Sequence, residues 1–467
     1  MPEPGTLQQI VDQLVKPAQE YGVWQGHSLT FSFSNVVSAD DAGNPESATF
    51  SPFSGDQRVA TRLVMAAFSD VIDMQFTEVA GQQGNAGDIR FANFDGGQNT
   101  AFAHFPGSGL GGDIFVSITP VPDGWPDLTQ PASGNHAFLT YLHEMGHAMG
   151  LGHPGNYNGG SPSWAADALF AQDTEQFSVM SYFQNQDAGN GSNHSDPSGV
   201  HHFAQTLMLY DIAALQAIYG ANLTTRAGAT VYGFNSTIDA GSPYDFAANP
   251  YPVVCIYDAG GRDRIDFSGF SGPTRINLAP GSFSDTQDLA QNVSIAYGTI
   301  IENATGGSAA DAIFGNRVDN ALQGGRGNDV LSGLVGADLL RGGAGNDRLT
   351  GGLGNDTLTG GSGADTFVLS PTVALAGVDV IVGFNHADDR FRLIAGPLSG
   401  LEGWTADKFF AGTSGRAHDA SDRIIYDTDT GKLYYDADGN ALNGVAAVQI
   451  AILTNRAGLD WTDFGVL

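Results

Sequence analysis

Eleven consecutive residues carry three histidines and a glutamate: His143-Glu144-Met145-Gly146-His147-Ala148-Met149-Gly150-Leu151-Gly152-His153. In a helix, His143 and His147 stand one turn apart on the same face. Two imidazoles so placed suit two ligand positions of one tetrahedral zinc ion. Glu144 follows the first of them, beside the metal without needing to bind it, where it can act as general base on a metal-held water. Gly150 permits the positive-φ turn that ends the helix. The chain can then swing His153 back as the third ligand and leave a fourth position open.

Several elements must position this run. Periodicity predicts helices over Leu7–Tyr21, Arg58–Ile72, Phe138–Met149 and Phe203–Ile218. Strands are expected at Leu29–Phe33, Met74–Val79, Asp88–Ala92 and Gly112–Ile118. Gln184–Gly199, rich in Asn, Gly, Ser and Asp, reads as a mobile surface loop. Gly107–Gly112 satisfies Gly-x-Gly-x-x-Gly but precedes a strand, so a dinucleotide reading fails. After about Gly220 helices give way to strands and turns. The expected organisation is therefore α+β, with a domain over 1–220 and an all-β domain over 221–467.

The 467 residues carry a formal charge of −31, and only eight of the 50 acidic residues are Glu. Lysine occurs three times, at Lys16, Lys408 and Lys432. Such a surface repels nucleic acid and anionic membranes. Short carboxylates in turns suit calcium loops. Cys255 is the single cysteine, so no intrachain disulfide is available, and it reads as a buried strand residue. No stretch is long and apolar enough to span a membrane, and Met1–Val15 lacks the pattern of a signal peptide.

From Gly306 to Val368 the chain divides into seven nonamers without a gap. Those starting at Gly324, Gly342, Gly351 and Gly360 fit Gly-Gly-x-Gly-x-Asp-x-apolar-x in full; the one at Gly333 lacks only its second Gly. Those at Gly306 and Gly315 are degenerate. This is the RTX pattern of a calcium-loaded parallel β-roll. Two nonamers make one coil, so one side stacks Asp311, Asp329, Asp347 and Asp365, and the other Asn320, Asp338 and Asp356. Candidate calcium positions are the first, third and sixth of each unit: Gly324, Arg326 and Asp329; Gly333, Val335 and Asp338; Gly342, Ala344 and Asp347; Gly351, Leu353 and Asp356; Gly360, Ser362 and Asp365. Asn320 removes a charge from its stack and weakens the site it shares with Asp338.

The pattern His-Glu-x-x-His-x-x-Gly-x-x-His is that of metzincin proteases. Downstream, Ser178-Val179-Met180-Ser181-Tyr182 resembles their Met-turn, with Met180 as the apolar floor beneath the histidines. Together with the nonamers and the lack of disulfides, these motifs resemble the serralysins, secreted alkaline metalloproteases of the Pseudomonas type. The resemblance implies a metzincin domain followed by a calcium-bound β-roll, with Gly112–Ile118 edging the metzincin sheet where an extended substrate peptide could pair. It also implies one catalytic zinc held by His143, His147, His153 and, in the resting state, Tyr182, with several structural calcium ions. Glu144 would be the base, and Tyr182 would swing away to stabilise the oxyanion. Two calcium sites before the repeats are implied, one by Arg226, Gly228, Thr230, Asp258, Gly260 and Asp263, the other by Gly261, Asp263, Ile300 and Glu302. Asp463–Leu467 is similar to the tail that engages a type I secretion channel. The resemblance thus implies a secreted, monomeric endopeptidase acting on protein and peptide substrates.

Overall fold

The computed structural model describes residues 2–35, 49–80, 87–97, 100–107, 110–122, 126–370, 377–394, 400–440 and 446–466. The chain divides into two compact units. The first takes Met1–Gly228, Ala240–Gly261 and Asp288–Thr299; the second takes Ala229–Asp239, Arg262–Gln287 and Ile300–Leu467. The two later segments join the first unit through paired chain. Strands Val254–Ile256 and Val293–Ile295 run parallel to each other. The amide of Gln205 donates to the Val253 carbonyl at 2.9 Å, and that of Cys255 to Thr206 Oγ1 at 2.8 Å. Cys255 is buried in this strand, and burial pushes its thiol up to about 12.

In the first unit, β1 (Ser28–Phe33), β2 (Gln75–Glu78), β3 (Ile89–Phe94), β4 (Ala101–Ala103) and β5 (Ile114–Ser117) form one sheet in the order β2-β1-β3-β5-β4. All neighbours are parallel except β4, which runs antiparallel to β5. The strand expected at Gly112–Ile118 is therefore interior, and β4 is the edge. The short Ala-Phe-Ala run is too brief to show a strand period, so it was missed. Part of the neighbouring glycine run, residues 108 and 109, lies outside the described residues.

The histidine-bearing helix spans His136–Ala148 and is capped by Asn135, whose side chain accepts the Phe138 amide at 2.9 Å. A polar node ties it to its neighbours. Gln57, on the helix Gly55–Val71, exchanges hydrogen bonds of 2.8 and 3.0 Å with Asn93 of β3 and donates to the Tyr141 hydroxyl at 3.0 Å. All three side chains are buried, so leaving any one unpaired would cost about 1–3 kcal/mol. The end of the helix is held too: Trp24 Nε1 donates to the Ala148 carbonyl at 2.8 Å and the Tyr219 hydroxyl to that of Met149 at 2.9 Å.

Two predicted helices differ from expectation. Leu7–Tyr21 is split into Leu7–Leu14 and Lys16–Tyr21, because Pro17 has no amide to continue the first helix. The segment expected to be helical from Phe203 becomes so only at Leu209, since Gln205 and Thr206 bond to chain 253–255 instead. Gln184–Gly199 is anchored rather than bare: it holds a 3₁₀ turn at Asn185–Ala188, and Asn193 pairs with Ala290.

The second unit contains the roll. Strands eighteen residues apart pair in parallel, as two nonamers per coil require. Each strand sends at least one apolar residue inward, and these stack into two ladders. One runs Ile265, Ala304, Leu322, Leu340, Leu358, Ile381 and Leu453. The other runs Ile276, Ile313, Leu331, Leu349, Phe367, Phe391 and Phe464. All are buried. The coil thus continues on both sides of the recognisable repeat. The tail strand Phe464–Val466 pairs with Arg390–Leu393 and is part of this sheet; Leu467 lies outside the described residues.

A cavity in such a thin core has no other layer to fill it. Leu340→Ala should destabilise the second unit by about 2–5 kcal/mol, read as a lower urea midpoint for its β signal.

Candidate active site

His143, His147 and His153 converge. His153 Nε2 lies 3.2 Å from His143 Nε2 and 3.2 Å from His147 Nε2. The other ring nitrogen of each is committed to a backbone carbonyl: His143 Nδ1 to Val179 at 2.8 Å, His147 Nδ1 to Leu151 at 2.7 Å, and His153 Nδ1 to Tyr157 at 2.7 Å. A carbonyl only accepts, so each Nδ1 carries the proton and each Nε2 presents a lone pair. Three lone pairs then face one another in a buried space. Burial, with the neighbouring histidines, drives His143 well below the usual range and His147 to about 3; burial alone takes His153 to about 4. All three are thus neutral and able to act as ligands. Around a tetrahedral zinc with Zn–N of about 2.0–2.1 Å, ligand nitrogens are about 3.3 Å apart. The donor set and its spacing fit that ion.

The turn to His153 depends on close packing. Gly150 adopts φ +90°, and a Cβ there would lie 3.2 Å from Ala18. A Cβ at Gly152 would lie 2.9 Å from Pro17, and the Gly152 amide donates to the Leu14 carbonyl at 2.7 Å. The N-terminal helices therefore brace the third histidine. Beneath the cluster, Met180 is fully buried, and a Cβ on Gly146 would collide with its Sδ.

Glu144 is buried, and its Oε2 has no hydrogen-bond partner. Burial raises its carboxyl to about 8. It shares with His143, Tyr182, Thr140, Glu175 and Thr100 the wall of a cleft of about 610 Å³. The Tyr182 ring packs 4.6 Å from His153, centroid to centroid, while its hydroxyl accepts the Gly159 amide at 3.4 Å. Burial raises its phenol pKa.

In the roll, the aspartates form two hydrogen-bonded stacks. The amides of Asp311, Asp329 and Asp347 donate to Oδ1 of Asp329, Asp347 and Asp365 at 2.8–2.9 Å. On the other side the amides of Asn320 and Asp338 donate to Oδ1 of Asp338 and Asp356 at 2.7 and 2.9 Å. The second oxygen is the notable one. Oδ2 of Asp329, Asp338, Asp347, Asp356 and Asp365 is buried without a partner. Each lies against the first glycine of its own unit (Gly324, Gly333, Gly342, Gly351 or Gly360), where a Cβ would collide with it. Burial raises Asp329 and Asp338 to about 7 and Asp365 to about 6, and shifts Asp347 and Asp356 upward as well. Rows of buried, unpaired carboxylate oxygens suit hard cations with oxygen ligands.

The carbonyls of Ala344, Leu353 and Ser362 accept the amides of Gly327, Gly336 and Gly345 at 2.8–2.9 Å, which leaves each one lone pair. Arg326 and Val335 end the strands Ala321–Arg326 and Val330–Val335. Asn320 spends its side chain on protein: Nδ2 donates to the Glu302 carbonyl at 3.1 Å and to Asn316 Oδ1, and Oδ1 accepts the Asn316 amide at 2.8 Å.

The segments before the repeat are divided between the units. In the first, Arg226 bonds Asp70 Oδ2 and the Tyr257 carbonyl at 2.8 and 2.7 Å, and Asp258 Oδ1 accepts the Gly260 amide at 2.8 Å. Gly228 and Gly261 belong to this unit as well. In the second, Asp263 Oδ1 accepts the Thr230 amide at 2.7 Å, and Glu302 Oε2 accepts that of Asp263 at 2.7 Å; Ile300 opens the last segment.

Sequence reasoning missed Asp379 and Asp389, which extend the two stacks by accepting the amides of Asp356 and Asp365 at 3.2 and 2.9 Å. Inserted chain puts them 23 and 24 residues on instead of 18. An Asp five residues beyond the expected phase on one side, and six on the other, is the signal the sequence offers.

Two family models match the chain: one described as Matrixin over residues 23–158, and one described as Peptidase M10 serralysin C terminal over residues 221–455. Among similar curated proteins is the metallopeptidase AprA of Pseudomonas marginalis, 38% identical over 324 residues, or 67% of this chain and 65% of that protein. The metalloprotease AprA of Pseudomonas entomophila is 41% identical over 57% of this chain and 55% of its own length. Serralysin B of Dickeya chrysanthemi is 40% identical over 61% and 58%. The chain therefore spans between 55% and 65% of the length of these relatives.

Proposed function

The chain belongs to the serralysin-type M10 peptidases, and from that premise we propose that it is a secreted zinc-dependent endopeptidase acting on protein and peptide substrates. The observation that carries this reading is the convergence of three Nε2 atoms, that of His153 lying 3.2 Å from each of the other two, with every Nδ1 committed to a carbonyl. His143, His147 and His153 would hold the ion. Zinc, when bound, supplies a Lewis acid that polarises the scissile carbonyl and acidifies a water.

The remaining work falls to side chains. Glu144 stands in the cleft wall with Oε2 unpartnered, so as a carboxylate beside the metal it would take a proton from water on Oε2 and return it to the leaving amine. Tyr182 lies on the cleft wall beside His153, where its hydroxyl, once released from the Gly159 amide, would stabilise the developing oxyanion. Strand β4 presents a sheet edge whose neighbour Thr100 lines the cleft, which favours an extended substrate pairing there.

Calcium would fill the roll between turns, where it neutralises the buried carboxylates. The Asn320–Asp338 position is the weak one, because Asn320 already satisfies its own side chain. In this reading the polypeptide leaves the cell by type I secretion and the roll folds in the calcium-rich medium outside. No described helix is long and apolar enough to cross a membrane. The enzyme would act as a monomer.

Two outcomes are expected. Glu144→Gln should retain one zinc per chain by metal analysis while kcat/KM on casein falls by about 10²–10⁴; turnover within tenfold of the parent contradicts the base assignment. Calcium chelation should abolish the far-UV circular dichroism of the roll at a temperature where the calcium-loaded protein is folded. An unchanged spectrum contradicts the calcium reading.

A further inference from the structure

Two side chains deep behind the Met-turn have no part in the chemistry so far. Asp211 is fully buried on the helix Leu209–Tyr219. Its Oδ2 accepts the amides of Val179 and Met208 at 2.8 and 2.9 Å, and its Oδ1 accepts the Ser178 hydroxyl at 2.6 Å. Ser178 is itself buried, and its Oγ accepts the Met180 amide at 3.1 Å. That amide belongs to the same peptide group as the Val179 carbonyl, and this carbonyl accepts His143 Nδ1–H at 2.8 Å.

Hydrogen bonds therefore run without a break from imidazole to carboxylate. His143 Nδ1–H donates to the 179–180 peptide, whose N–H donates to Ser178 Oγ, whose O–H donates to Asp211. Each bond points the same way, and bonds so aligned polarise one another. The negative charge at the far end draws the intervening protons toward Asp211. The carbonyl becomes a stronger acceptor, and His143 Nε2 a stronger donor to a metal.

The Met-turn contains an internal comparison. Ser181 repeats the device: its Oγ accepts the Phe183 amide at 3.1 Å and its hydroxyl donates to Asp173 at 2.7 Å. Asp173 also accepts the Tyr157 hydroxyl at 2.7 Å. Tyr157 supplies the carbonyl for His153, but through its backbone, whereas Asp173 holds its ring. Asp173 thus fixes a position, while the Asp211 chain enters the very peptide that a histidine bonds.

We infer that Ser178 and Asp211 are positioning residues for metal binding, acting on His143 through the 179–180 peptide to set its orientation and donor strength. The inference rests on the zinc reading of the three histidines.

The test is zinc affinity of the full chain, by competition with a chelator in calcium-containing buffer without substrate, for the parent, Ser178→Ala and Asp211→Asn. Outer hydrogen-bonding partners of metal histidines typically account for about 10–100-fold in affinity, so a loss of at least about tenfold is expected in each. The His143 Nδ1–H proton resonance should also move upfield in zinc-loaded Ser178→Ala, because its acceptor is less polarised. A merely structural serine would lower the melting temperature without moving either readout. Folded Ser178→Ala protein with affinity within about twofold of the parent and an unmoved resonance would overturn the inference. If Ser178→Ala does not fold, the same limits apply to Asp211→Asn. A parent that binds zinc but cleaves no protein overturns the peptidase reading instead.

Discussion

Three imidazole nitrogens with lone pairs directed at one another, that of His153 only 3.2 Å from each of the other two, repel unless a cation lies between them. That arrangement is unfavourable for the protein alone. It persists because each imidazole is held from behind by a carbonyl on a different piece of chain: the Met-turn, the turn after the helix, and the segment following His153. Those three carbonyls must themselves be fixed, and much of the first unit serves that end. The N-terminal helices press on Gly150 and Gly152, Trp24 and Tyr219 close the end of the helix, and Met180 supports it from below.

The second unit meets the same physical problem with oxygen. Its buried carboxylates keep one oxygen occupied by a backbone amide and leave the other facing the inside of a turn. Neutral nitrogens grouped tightly favour zinc, whereas charged oxygens in a row of flexible turns favour a larger, harder ion. Each unit thus selects its metal by donor chemistry.

The histidine run and the nonamers were legible because both are local patterns whose spacing equals a structural period: four residues for one helical turn, eighteen for one coil. Where the geometry depends on chain distant in sequence, the pattern is silent. Nothing near His143 tells that Val179 would hold its Nδ1. Strand β4 has three residues and no period to read. The Leu209–Tyr219 helix starts later than the sequence suggests because the apolar run from Phe203 mimics a helix face, while Gln205 and Thr206 are committed to chain nearly fifty residues on. Asp379 and Asp389 escaped because inserted residues broke the repeat's phase while preserving its structure.

The three-histidine zinc site is tested most directly by X-ray diffraction from crystals of the zinc-loaded protein, with anomalous data on both sides of the zinc edge. One strong zinc peak per chain is expected, about 2.0–2.1 Å from Nε2 of His143, His147 and His153, with the Nδ1 contacts to Val179, Leu151 and Tyr157 unchanged. A zinc bound through fewer than three of these nitrogens, or held only by roll carboxylates, would contradict it.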